Sequence, residues 1–186
     1  MKTRLTIATA LILALSACGS PEEAEPADET AEAAAQAPNP STPQGFVAMA
    51  ASSDMYEIEA GKLAQQMGTS EAVKEFGAMM EKDHTTSSDK LKAAVAEAGD
   101  GLAVPAAMLP KHQTQLDALR NAGADFDTLY LQQQQAAHQE ALNLLNSVSQ
   151  AGTVAPLKAF ATEASPVVQA HLEHVLELAE AAGGGE

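Results

Sequence analysis

Between residues 44 and 182, apolar residues return at spacings of three and four with few breakers inside the runs. This feature constrains the fold more than any other. No strand-like alternation of any length is present. Aromatic residues make up 3% of the chain and alanine is abundant, which suits close helix packing better than a sheet core. The expected fold class is all-α.

Breakers divide the pattern into elements. The first helix is expected from about Gln44 to Met67, ended by Gly68, with Ser70 capping the second, which runs to about Ala98 and stops at "GDG". A loop with Pro105 and Pro110 leads to a short helix over 110–122, ended by Gly123. A third long helix over about 125–150 stops at Gly152, and a fourth over about 154–181 fades into "GGGE". Pro166 predicts a kink or break in the fourth, with Ser165 as its cap. Four long helices with a longer crossing between the second and third predict a four-helix bundle with one ferritin-type connection, the short helix lying in that crossover.

Placed at 100° per residue, several polar side chains fall among the apolar ones. His84 is central to the stripe Val73, Phe76, Met80, Leu91 and Val95. His138 is central to Leu131, Leu142, Leu145 and Val148, with Asp127 and Gln134 on the same line. His171 lies among Leu157, Phe160, Val167, Val168, Val175 and Leu178, with His174 one turn on at the edge, and His112 sits beside Leu109, Leu116 and Leu119. On the first helix Glu57 faces inward with Phe46, Ala50, Gly61 and Ala64, whereas Glu59 and Lys62 face outward.

Imidazoles and carboxylates on facing helices are what a bundle interior uses to bind zinc, iron, manganese or copper. The candidate ligands are Glu57, Glu81, His84, His138 and His171, with Asp83, His112, Asp127, Tyr130 and His174 as supporting polar groups. The alternative is that each histidine is a pin, hydrogen-bonded to a carbonyl or carboxylate to fix helix register. Sequence gives rotation about each helix but not height along the bundle, so both readings stand. A sulfur-based copper site from Met79, Met80 and His84 with Met49, Met55 and Met67 is a further reading, opposed by Met79 and Met80 pointing apart. The serine runs at 52 and 85 lie on helices without a glycine elbow, and no phosphate-cradling glycine loop is present, so hydrolase and nucleotide chemistry have no support.

The beginning of the chain suggests an address. Lys2 and Arg4, then the short apolar run "LTIATALILAL", then "LSAC", resemble a bacterial lipoprotein signal over residues 1–17 with its lipobox. Cleavage before Cys18 would make the chain's single cysteine a lipid anchor, leaving no disulfide chemistry. An ordinary secretory signal with a chance cysteine is the alternative. Gly19 after the cysteine implies, by resemblance to lipoprotein sorting in Gram-negative cells, the periplasmic side of the outer membrane. Losing Lys2 and Arg4 moves the formal charge from −15 to −17, a surface that repels nucleic acid. Residues 18–43 read as the anchor and an acidic, Pro/Ala-rich disordered tether spanning roughly 25–30 Å as a coil. The bundle is expected over 44–182 and a flexible tail over 183–186; nothing in the sequence names a protein partner.

The runs "FVAMAASSDMYEIEAGKLAQQMGTSEAVKEFGAMMEKDHTTSSDKL", "LPKHQTQLDAL", "GADFDTLYLQQQQAAHQEAL" and "LKAFATEASPVVQAHLEHVLEL" resemble domain-of-unknown-function family 4142, a ferritin-like family of bacterial envelope proteins. The family's Glu-x-Glu falls on Glu57 and Glu59, its Asp-His on Asp83 and His84, its Phe-Asp-x-x-Tyr on Phe126, Asp127 and Tyr130, and later histidines on His138 and His171. The resemblance implies a fold and an envelope location and brings no established activity. A ferritin-like di-iron centre needs two Glu-x-x-His motifs and two further carboxylates. Here Glu81 to His84 gives one motif, the last helix offers "HLEH", and His138 stands where a carboxylate belongs, which argues against di-iron oxidase chemistry.

Overall fold

The computed structural model describes residues 37–99 and 101–183, and these form five α-helices with no strand. They are α1 Pro43–Met67, α2 Glu71–Ala98, α3 Pro110–Arg120, α4 Phe126–Ala151 and α5 Ala155–Gly183, with a 3-10 turn at Gly123–Asp125 before α4. The predicted signal, Cys18, most of the tether and the last three residues lie outside the described residues. None of the described helices is long and apolar enough to cross a membrane.

The long helices pack in sequence pairs, α1 along α2 and α4 along α5, and the pairs meet where α2 touches α5 and α1 touches α4. The chain therefore crosses the bundle between α2 and α4, and α3 lies in that crossover against α1 and α4. Phe76, Phe126, Tyr56 and Tyr130 are fully buried, each contributing about 2–3 kcal/mol of apolar burial. Phe46 meets Phe160 edge-on at 6.2 Å, tying α1 to α5.

Local chemistry explains the ends. The last tether residues are ordered and form a cap: Thr42 N–H and Oγ1–H both donate to Asn39 O, and Thr42 Oγ1 accepts from Gly45 N–H at 3.0 Å, with Pro43 at the first helical position. Gly99 and Gly101, at φ +87° and +105°, supply the left-handed turns of the crossover. The crossover is strapped to α1 by Gln44, whose amide exchanges two hydrogen bonds with the Ala103 backbone at 2.8 and 2.9 Å.

Three expectations are corrected. The Ser70 side chain makes no cap bond; instead Asp127, at the start of α4, accepts from Thr69 N–H, Thr69 Oγ1–H and Ser70 N–H at 2.7–2.9 Å. Helix α5 runs unbroken through Pro166, and Ser165 donates to Asn146 Oδ1 at 2.8 Å rather than capping. The roughly 3 kcal/mol cost of an interior proline is offset by the buried residues on either side of it, Leu157, Phe160 and Ala161 before and Val168, Leu172 and Val175 after. Val167, expected in the apolar stripe, is 46% exposed.

The approach of α1 to α2 is set by two glycines. A Cβ on Gly61 would lie 2.5 Å from Gly77 O, and one on Gly77 would lie 2.6 Å from Ala64 Cβ. Backbone meets backbone at this seam, which carries Asp54 and Glu57 along α1 and His84 along α2 into one interior.

Candidate metal centre

His84 of α2, His138 of α4 and His171 of α5 are each 5% exposed or less, and they stand at one height in the bundle. Their ring centroids are 5.4–5.7 Å apart, and one nitrogen of each ring lies within 4.8 Å of one from each of the others. Three imidazoles tetrahedrally placed on one zinc have nitrogens about 3.3 Å apart, so inward movement of about an ångström closes the set.

What each ring does with its second nitrogen decides its tautomer. His138 Nδ1–H donates to Gln134 O at 2.8 Å; a carbonyl can only accept, so the neutral ring presents a bare Nε2. His171 Nε2–H donates to Asp83 Oδ2 at 3.2 Å and presents Nδ1. His84 Nδ1–H donates to Asp54 Oδ1 at 2.8 Å, and Ser88 Oγ–H reaches the other oxygen of Asp54 at 3.5 Å. The three remaining nitrogens, His84 Nε2, His138 Nε2 and His171 Nδ1, are buried without a hydrogen-bond partner. Leaving a buried polar atom unpaired costs about 1–3 kcal/mol, and here three neighbouring rings each carry one.

Electrostatics separates the three. Burial, then the neighbouring His84, pushes His138 down to about 3, and the same two causes lower His171 against the opposing pull of Asp83. Burial acts on His84 in the same direction, but the Asp54 hydrogen bond and the charges of Asp54, Glu57 and Asp83 outweigh it and raise that ring above the ordinary histidine value. Proton affinity is therefore higher at His84 than at His138 and His171.

The other expected ligands go elsewhere. Glu57 is buried as expected, but its Oε2 accepts from Gln134 Nε2 at 2.5 Å and its Oε1 stands 4.0 Å behind His138 Nδ1, on the side away from the free nitrogen. Burial raises Glu57 to about 7 against the opposing effects of His84 and Gln134. Glu81 is outside the set: it accepts from Gln65 Nε2 at 2.7 Å along the α1–α2 seam, because Met80, one position earlier, takes the inward direction. Asp83 is half-buried and holds His171, whereas Tyr130 is buried with its hydroxyl unpaired. Asp127 sits at the bundle end, His174 is exposed and edge-on to Phe76 at 5.2 Å, and His112 stacks on Tyr56 at 5.3 Å while bonding Ser52 Oγ at 2.7 Å. Met80 lies in the apolar core and Met79 and Met67 pack against it. Asp54 was not expected. Its signal was spacing: it follows Ala50 by four residues and precedes Gly61 by seven, on the same buried line.

A family model matches residues 28–178, four-fifths of the chain. The chain belongs to the DUF4142 family. That family is described as a domain of unknown function, so membership names no reaction. No curated protein and no solved structure matches this DUF4142 chain.

Proposed function

We propose that this DUF4142 protein is a ferritin-like four-helix bundle that holds one divalent transition-metal ion on His84, His138 and His171. The observation that carries this reading is three buried histidines that can each bring one nitrogen within 4.8 Å of the others, each with one unpartnered nitrogen and the opposite one held by Asp54, Gln134 O or Asp83. Metal-ligating histidines commonly donate their second N–H to a carboxylate or a carbonyl, which fixes ring orientation and raises ligand basicity. An all-nitrogen donor set suits zinc, copper or iron(II), and three protein ligands leave a coordination position for a further group.

The same reading places the domain in the cell envelope, tethered to the periplasmic side of the outer membrane through lipidated Cys18, with a role in envelope metal homeostasis or stress. What supports the location is the sequence of residues 1–19 alone. Substituting Cys18→Ser should move the protein from the membrane fraction to the soluble one.

Equilibrium dialysis against zinc tests the site: about one ion per chain, lost in His138→Ala and His171→Ala while helicity is retained. A second reading is favoured by the contacts of His84 with Asp54 at 2.8 Å and of His171 with Asp83 at 3.2 Å, which join α2 to α1 and α5 to α2 with or without an ion. Under it the parent binds no ion, and the variants lose only thermal stability.

A further inference from the structure

A cavity of 280 Å³ opens between α2 and α5, and its inner end is formed by two of the three clustered histidines, His84 and His171. Both rings are buried, whereas Val167 at the mouth is 46% exposed and Lys90 and Glu163 face solvent as an ion pair at 2.6 Å. Phe160, Ala164 and Val168 form an apolar wall, and Thr86 and Ser87 add hydroxyls. This is just under the usual size of a small-molecule site, and its design of an apolar body with few polar groups is the usual one.

We infer that this cavity admits a short-chain monocarboxylate to the open position of the metal, with the carboxylate on the ion and the alkyl chain on Phe160, Ala164 and Val168. The inference rests on the metal reading above. Carboxylate oxygen is a normal ligand for these ions, and a three-histidine site leaves room for it. Lys90 is the one lysine or arginine in the lining, which also holds the carboxylates of Asp83 and Glu163, and its exposed pair with Glu163 is worth little enough to be exchanged for an incoming anion. The apolar wall sets the preference for an alkyl chain over a bare anion. His171 is the ring best able to adjust, because its 3.2 Å bond to half-buried Asp83 is the longest of the three holding contacts.

The test uses the full chain loaded with cobalt(II), read by its visible absorption, and titrated with acetate and then butyrate. Butyrate should shift the spectrum and bind more tightly than acetate, by up to about fourfold per added methylene. Ala164→Phe, which fills the cavity, should retain the cobalt spectrum and lose the butyrate response. Lys90→Met should weaken both carboxylates by up to about fivefold, the worth of an exposed ion pair. A cobalt spectrum that forms but ignores both carboxylates, or responds equally in Ala164→Phe, overturns the cavity inference and leaves the metal site standing. Failure of cobalt to bind at all overturns the metal reading and this inference with it.

Discussion

His84 Nδ1–H donates to Asp54 Oδ1 at 2.8 Å, with both side chains in the interior, and this bond joins α1 to α2 at the centre of the histidine cluster. Asp54 fixes which nitrogen of His84 faces His138 and His171. Substituting Asp54→Ala should lower zinc affinity by about 10- to 100-fold, the usual effect of losing such a partner. Asp54→Asn keeps an oxygen acceptor and should lose less. Competition with a chromophoric chelator measures both; an unchanged affinity in Asp54→Ala would contradict the assigned role.

Ser52 makes an acid-sensitive junction away from the cluster. Its Oγ accepts from Leu109 N–H at 2.8 Å and lies 2.7 Å from His112 Nδ1, so the hydroxyl proton is best placed on a neutral ring. Burial, then Lys111, lowers His112 to about 4, below its unfolded value near 6.5. A lowered histidine favours the native state when neutral. Its stabilising contribution is therefore full above about pH 6.5 and is lost as pH falls toward 4, at up to about 1.4 kcal/mol per unit. In urea unfolding the stability gap between wild type and His112→Gln should shrink from pH 7.5 to 4.5, and a constant gap would count against this account.

Asp127 binds the α1–α2 turn to the start of α4 through three hydrogen bonds, and these outweigh burial to hold its carboxyl below the usual range. Asp127→Ala should cost about 2 kcal/mol, typical of losing a charged acceptor, with zinc binding unchanged because the site lies elsewhere along α4. Denaturation and dialysis on the same sample separate the two effects.

Gly77→Ala sets helix propensity against packing. Alanine gains about 1 kcal/mol in an isolated helix, but its Cβ would lie 2.6 Å from Ala64 Cβ and 2.7 Å from Gly61 O. Rigid contacts of that kind cost about 1–3 kcal/mol or more, so net destabilisation is expected. A raised melting temperature would show that the α1–α2 seam yields.

Rotation about each helix was legible in the residues. His84, His138, His171 and Glu57 are all inside, and Glu59 faces out to Lys62 at 2.7 Å, as the apolar periodicity required. Height was not legible, since one line of residues runs the full length of a helix. Asp127 and Gln134 share the line of His138, yet Asp127 ends beyond the core against the α1–α2 turn, while Gln134 reaches Glu57. Asp54 was hidden for another reason: an acid on a buried line shows no sign of its partner until the facing helix is placed. Glu81 erred the other way, because spacing of three from His84 brings it near the face but leaves Met80 the inward position.

X-ray absorption at the zinc edge, on protein loaded with one equivalent, tests the central claim most directly. Three imidazole nitrogens at about 2.0–2.1 Å with one further light ligand is the predicted first shell, and it should be lost in His138→Ala. A shell of oxygens alone, or of sulfur, or one unchanged in the variant, would contradict a centre built on His84, His138 and His171.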